Sequence, residues 1–384
     1  MRARLLDLVR ASGPISRVEM ARVADLAPAS VTKVVRALIE EGLIQETGQA
    51  ESTGGKRRTL LEIAPEARYA VGIHLSAGVT TYALTDMAGG MIGRRRTLVA
   101  GSSTPQEAVS RMAQEVISFI DDLAVPRERT IGIGVAGSGP VDLRRGLLRG
   151  SGLADAARFP LRDALAERTG MTVLLGDEAG VAATGEFWGS GAEQPDAFAC
   201  LYMGRHLSAG VVSGGMPVRG ATSNAGQIGH VSVDPNGAEC YCGNRGCLEL
   251  YAAPAAVLPV RAPGPEPDDF SDLQRFDAVA RAAVRGDAVA SAALRSSLGW
   301  VASAAVALVN LTDVELIVLA GPAFAIAGAL YVQEIREAVQ RRAYARAVHP
   351  VQVRLATNPR DAAALGASAL VLQHHLTPRE RSWS

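Results

Sequence analysis

Apolar residues in the first forty positions recur at helical spacing. Leu5, Leu6 and Val9 share one face of residues 2–11, and Gly13-Pro14 ends that helix. Ser16 and Glu19 have the spacing of a capping box and open a second helix, with Val18, Ala21 and Val23 on its inner side. After a turn at Leu26-Ala27-Pro28, the spacing predicts a third helix from Ala29 to Glu41. Val31, Val34, Val35, Leu38 and Ile39 are its apolar stripe, and Gly42 is its stop. The period then changes: Leu43–Thr47 reads as a strand, 48–55 as a loop and Arg58–Ile63 as the returning strand of a hairpin.

From Tyr69 onward the pattern is that of strands and helices in turn. Strands are predicted at Ala70–Leu75, Thr80–Thr85 and Met91–Leu98, with a tight turn at Asp86–Gly90. Thr104 and Glu107 form a second capping box, with Pro105 in the first helical position; Val109, Met112, Val116, Ile117 and Ile120 point inward from that helix. A strand at Thr130–Ala136, a turn at Gly137–Pro140, a helix at Leu161–Thr169 and a strand at Thr172–Leu175 follow. Ala197–Tyr202, Ala209–Ser213 and Met216–Arg219 then read as strands again. The tetrapeptide Leu75-Ser76-Ala77-Gly78 returns as Leu207-Ser208-Ala209-Gly210, just after a first strand each time. The repeat predicts a duplicated α/β unit, two halves facing a cleft in the manner of actin-like sugar kinases. A surface loop at Pro259–Pro267, a helix at Ser291–Asn310, a strand at Glu315–Leu319 and a turn at Ala320–Pro322 complete the pattern.

Composition narrows the class. Of 384 residues, 48% are apolar and 20% charged, enough to bury sizeable cores and too few charges for a disordered chain. The length suits two or three domains. Aromatics are 4%, which argues against a surface of stacked rings for glycans or single strands. Lys+Arg and Asp+Glu are both 39, so a uniformly basic DNA coat is excluded. Residues 1–63 nonetheless carry ten basic against eight acidic side chains, +2 there and −2 in the remainder. No run of 18 apolar residues predicts a membrane span, and the interrupted N-terminus does not read as a signal peptide. Four cysteines, three of them within eight residues, point to a metal and a reducing, cytoplasmic setting.

Opposite its stripe, the third helix carries Ser30, Thr32, Lys33 and Arg36. Short hydroxyls approach base edges closely, and Lys and Arg reach guanine acceptors or phosphates. Two helices and a turn before such a helix make a helix-turn-helix. The hairpin after it makes a wing bearing Lys56, Arg57 and Arg58, suited to phosphates or a minor groove. Residues 1–65 are thus expected to be a winged helix-turn-helix domain for double-stranded operator DNA; the alternative is a small helical bundle with a solvated charged face.

His230, Cys240, Cys242 and Cys247 follow the pattern H-x9-C-x-C-x4-C. Three thiolates and an imidazole complete a tetrahedral zinc shell with no position left for activated water, so a structural ion is expected. Gly243 and Gly246 allow the tight loop. The alternative is three reduced thiols beside an unrelated histidine. Cys200 falls in a predicted strand and reads as a core thiol.

The run Gly220–His230, the segment Cys-x-Cys-Gly-Asn-Arg-Gly-Cys-Leu-Glu ending at Glu249, Thr184–Trp188 and Gly132–Val135 resemble the ROK family (repressors, open reading frames and kinases). The resemblance spans nearly the whole chain. It implies an α/β, two-lobed actin-like (ribonuclease H-like) sugar-kinase fold for residues 66–384, with a zinc loop at 230–249. A winged helix ahead of it is similar to the repressor branch. ROK kinases hold ATP phosphates on an Asp-Leu-Gly-Gly-Thr loop; the matching His74-Leu75-Ser76-Ala77-Gly78 lacks the acid and displaces the hydroxyl.

The family's catalytic base is the Asp of an Asn-Asp pair. Alignment on Gly185-Glu186 puts Asp177 in the Asn place and Glu178 in the Asp place; a shift of one makes Asp177 the Asp and Gly176 the Asn. His230 and Glu249 match sugar contacts, His230 offering one ring nitrogen to zinc and the other to ligand. Gln227 replaces a usual Glu, and Gly152 stands near a usual Asn. The resemblance therefore implies an effector site of Asp177, Glu178, Gln227, His230 and Glu249. It implies a sugar or sugar-derivative effector, a structural zinc, no ATP and no catalytic residue, in a homodimer or dimer of dimers. An ATP-dependent sugar kinase is the alternative, and a zinc-stabilised interaction module with a vestigial pocket is the third.

Overall fold

The N-terminal pattern is realised as three helices and a small sheet: α1 (Arg2–Ser12), β1 (Ile15–Ser16), α2 (Arg17–Ala24), α3 (Pro28–Glu40), β2 (Ile44–Gln49) and β3 (Thr59–Ile63). The structure, a computed structural model, describes residues 1–49, 58–76, 78–98, 104–150, 158–189, 195–258 and 269–376. The Ser16–Glu19 capping box is present, Ser16 Oγ accepting from the Glu19 N–H. Val31, Val35 and Leu38 of α3 are fully buried, and Gly42 takes φ +70° just beyond its end. The second helix departs from expectation. Val18 and Val23 are 57% and 50% exposed; Ala21 faces inward as expected, but beside Met20 and Ala24. The true stripe is displaced because α2 has only two turns and is oriented by its packing on α3 rather than by its own period. The hairpin orders its sheet β1-β3-β2, with a bulge between Glu46 and Gly48 that lets β2 run on to Gln49. Lys56, Arg57 and the expected loop from residue 50 to 55 lie outside the described residues.

The next stretch forms β4 (Tyr69–Ser76), β5 (Val79–Asp86), β6 (Met91–Leu98), α4 (Pro105–Asp122), β7 (Thr130–Asp142), β8 (Leu147–Gly150), α5 (Leu161–Thr169), β9 (Val173–Asp177) and α6 (Glu178–Gly189). It is followed by β10 (Phe198–Met203), β11 (Leu207–Ser213), β12 (Met216–Pro217), α7 (Glu249–Ala252), α8 (Pro254–Val257), α9 (Asp269–Val284), α10 (Ala288–Thr312), β13 (Leu316–Ala320), α11 (Phe324–Arg342), β14 (Gln352–Leu355) and α12 (Ala362–Leu376). One sheet is ordered β6-β5-β4-β7 with β8 and β9 both on β7; the other is β12-β11-β10-β13-β14. In each, two antiparallel hairpins precede two parallel additions, so the duplication is real at the level of topology. The repeated tetrapeptide is not its mark. Leu75-Ser76 closes the first strand of one half, whereas Leu207-Ser208 opens the second strand of the other. Ala77 and Pro259–Pro267 lie outside the described residues.

A further correction concerns a single element. The expected turn at Gly137–Pro140 is a bulged continuation of β7, irregular between Ser138 and Val141 and pinned by Asn224, which accepts from the Val141 N–H and donates to its carbonyl. Helix α10 is long and apolar enough by length and composition alone to cross a membrane, although interspersed Ser, Gly and Arg295 leave no run of 18 apolar residues, as the sequence led us to expect. It is packed as a core helix, with Leu294, Val301, Ala305 and Val309 buried against α9 and α11.

The halves interlock through α6 and α12. Helix α12 lies on β4 and β7 of the first sheet, α6 lies on β10 and β11 of the second, and the two helices cross. Contact is closer than side chains permit. A Cβ on Gly134 would stand 1.9 Å from the Ala367 carbonyl oxygen, and one on Gly366 would stand 2.0 Å from that of Val181.

Candidate functional site

The outer face of α3 presents Thr32, Lys33 and Arg36 to solvent, with Ser30 half-buried at the helix start. Thr32 Oγ1 donates to the Pro28 carbonyl, leaving its lone pairs outward. Among the described residues, Lys33 and Arg36 have no ion-pair partner, whereas Arg2 and Arg17 on other faces are engaged by Glu41 and Glu46. Arg58 is exposed where the hairpin returns, near Glu19.

The loop between β12 and α7 brings His230, Cys240, Cys242 and Cys247 together, with one donor atom from each within 4.8 Å of all the others. His230 Nδ1 and Cys240 Sγ are 3.6 Å apart, as are Cys242 Sγ and Cys247 Sγ. A zinc tetrahedron with bonds of about 2.3 Å to sulfur and 2.0 Å to nitrogen has edges of about 3.5–3.8 Å. The donors thus stand where such an ion would hold them, and the cluster could hold a structural zinc. Gly246, at φ +59°, lets the loop close: a Cβ there would be 1.7 Å from the Asp234 carbonyl oxygen. Burial and the neighbouring thiols push the Cys247 thiol up to about 12, so a divalent cation is the natural means of holding it as a thiolate. Cys200, apart from this cluster, is fully buried in β10.

Asp177 ends β9 and Glu178 opens α6. Asp177 accepts from the Gly180 N–H at 2.9 Å; burial, with Glu178 adding, pushes its carboxyl up to about 6. Glu178 is buried, and its Oε1 lies 2.6 Å from Nε2 of buried His74 on β4. Tyr202 of the opposite half meets the His74 ring edge-on at 6.3 Å. Across the β10–β11 turn, Glu249 Oε1 lies 2.7 Å from His206 Nδ1. Gly204 of the same turn faces Glu178, so a single three-residue turn separates the two His–Glu pairs. Gln227 is half-buried and its carbonyl accepts from the His230 N–H. The second ring nitrogen of His230 meets the Tyr241 hydroxyl at 3.0 Å, and that hydroxyl also lies 3.4 Å from His206.

Sequence reasoning misses His206 and Tyr241. Tyr241 sits between two cysteines where only the metal pattern draws notice, and His206 meets Glu249 from 43 residues away. The partnership of His74 with Glu178 spans 104 residues and is equally invisible to spacing. Gly152 lies outside the described residues.

Two α/β lobes of one topology, locked by a crossed helix pair with carboxylates at the strand and helix ends between them, define an actin-like sugar-kinase fold. The ROK family pattern matches residues 70–374, and the chain belongs to the ROK family. It is 31% identical over 325 residues to the DNA-binding transcriptional dual regulator NagC of Escherichia coli K12, covering 83% of this chain and 79% of NagC. It is 25% identical over 374 residues to the xylose repressor of Bacillus spizizenii, covering 97% of this chain and 94% of that one. A crystal structure of a ROK family transcriptional regulator, a homologue of the E. coli MLC protein, superposes with a TM-score of 0.76 at 22% identity, over 98% of this chain and 96% of its own. The ROK hexokinase of Thermus thermophilus superposes at 0.64 with 25% identity, over 78% of this chain and 97% of its own.

Proposed function

We propose that this chain is a cytoplasmic, DNA-binding transcriptional regulator, a repressor, whose interlobe cleft responds to a sugar or sugar derivative. Residues 1–65 are the winged helix-turn-helix and 66–384 the sensing domain. Ser30, Thr32, Lys33, Arg36, Lys56, Arg57 and Arg58 contact DNA. Asp177, Glu178, Gln227, His230 and Glu249 line the effector site, and zinc on His230, Cys240, Cys242 and Cys247 braces it. Two copies meet paired half-sites, as two-fold operators require.

The observation that carries the DNA-binding assignment is the exposed Lys33–Arg36 face, without an ion-pair partner among the described residues, of a helix anchored by Val31, Val35 and Leu38. Unpaired cations on a rigid helix are free to displace counterions from a duplex. A regulator's structure spans 98% of this chain, whereas the hexokinase matches 78%, which supports a unit beyond the sugar-kinase fold. Against phosphoryl transfer stands the buried His74–Glu178 pair: the residue in the phosphate-loop acid's place holds, at 2.6 Å, the one that the alignment on Gly185-Glu186 puts in the base's place. A base so engaged, with one extra methylene, is out of position for a sugar hydroxyl. An effector acts by binding the open and closed lobes unequally.

Gel retention of the DNA upstream of the chain's own coding region, with and without a panel of sugars, tests this assignment beside a coupled ADP-release assay. Selective retention altered by one sugar, without turnover, is expected. Brisk nucleotide consumption, or no selective retention at moderate salt, would overturn it.

A further inference from the structure

Helix α6 joins the carboxylate cluster between the lobes to the N-terminal helices. Its first residue, Glu178, is the cleft partner of His74. Its last turn is held by Arg10 of α1. Arg10 Nη1 donates to the carbonyls of Trp188 at 2.5 Å and Phe187 at 3.2 Å. The guanidinium stacks 4.7 Å from the Trp188 ring and 5.2 Å from that of Phe187. Asp7, one turn earlier on α1, fixes its orientation at 3.1 Å. The Arg10 side chain is 4% exposed. Trp188, 3% exposed, donates its indole N–H to the Met87 carbonyl and so ties the same turn to the first lobe.

The last carbonyls of a helix lack intrahelical donors and carry the negative end of the dipole, so a buried guanidinium there binds strongly and with direction. Stacking on two aromatic faces adds to it and demands the planar fork; lysine does not supply that. Between its ends α6 cannot bend to absorb motion, because Val181 and Gly185 press on Gly366 of α12 at backbone contact. A twelve-residue helix, about 18 Å long, therefore moves as a rod. Shifting Glu178 shifts the carbonyls on which Arg10 rests.

We infer that Arg10 is the positioning residue through which α6 sets the placement of the reading helices, coupling the cleft at Glu178 to the DNA-facing surface of α3. The inference rests on the regulator assignment above for its biological meaning, and on the α6 geometry alone for the coupling. Helix α1 packs on α3 directly, so the displacement reaches the reading face without crossing a mobile joint.

The test is a double-mutant cycle in the full-length, zinc-loaded chain: Glu178→Gln, Arg10→Lys and both together. The first readout, amide hydrogen exchange of α1 and α3 without DNA, does not depend on operator binding. Glu178→Gln alone is expected to change protection in α1 at least 5-fold, and by less than 2-fold when Arg10→Lys is already present. The second readout, fluorescence anisotropy on the upstream duplex, should show the same non-additivity in affinity. Should Arg10→Lys melt far below the parent, Asp7→Asn, which keeps the guanidinium but frees its orientation, takes its place in the cycle. Equal effects of Glu178→Gln in both backgrounds, or no effect on α1 in the parent, would overturn the inference. A parent chain that ignores the duplex while the exchange coupling persists would overturn the regulator assignment and leave this coupling standing.

Discussion

Replacing Asp177 with asparagine relieves a charge that the fold holds at a disadvantage. The carboxyl rises from an ordinary 3.8 to about 6, burial being the main cause and Glu178 adding to it, against lowering by the Gly180 N–H. A carboxyl whose folded pKa exceeds its unfolded one holds its proton more tightly in the native state. Native stability is therefore lost as pH rises through that interval, and the loss persists above it. At about 1.4 kcal/mol per pH unit, the penalty at pH 7.5 is at most about 3 kcal/mol, and about half of that at pH 5. The asparagine amide would keep an oxygen to accept from the Gly180 N–H while removing the ionisation. Urea unfolding of parent and Asp177→Asn, compared at pH 7.5 and pH 5, is expected to show the variant more stable by about 1–3 kcal/mol, with the gain roughly halved at the lower pH. A variant no more stable at pH 7.5, or one whose gain is the same at both pH values, would refute this account of the cleft.

Cys247→Ser should drop bound zinc from about one ion per chain to near zero by elemental analysis. It should also remove on the order of 4 kcal/mol of stability, the linkage expected for a ligand at about a thousand times its Kd; retained metal would show that Cys247 is not a ligand. Gly366→Ala puts a methyl into the Val181 carbonyl, and the resulting overpacking should destabilise by about 3 kcal/mol or more in denaturant midpoints. An unchanged midpoint would mean that α6 and α12 slide freely.

Legibility in the sequence follows how each element meets solvent. Helices with one wet face, α3 and α4, are found with their inner residues, although Phe119 rather than Ile117 is fully buried in α4. Helices α6 and α12 escape a reading by period. Most of their residues are small or apolar and few are exposed on any side, so no 3.6-residue repeat survives. Strand β7 is cut short in the sequence because Gly-Ser-Gly-Pro reads as a turn, while its bulged pairing depends on distant Asn224. The zinc donors are legible because four ligands lie within 18 positions. The His74–Glu178 and His206–Glu249 pairs and the Arg10 clasp are not, since each joins elements that meet only in the folded chain.

The most direct test of the central claim is the binding of Lys33→Ala and Arg36→Ala chains, each confirmed to retain zinc, to the duplex upstream of the coding region, followed by anisotropy across a salt titration. The account predicts that the parent binds selectively, that each substitution weakens binding by about 5- to 100-fold, and that the salt slope falls by about one for a phosphate contact. Unchanged affinity in both variants would contradict it.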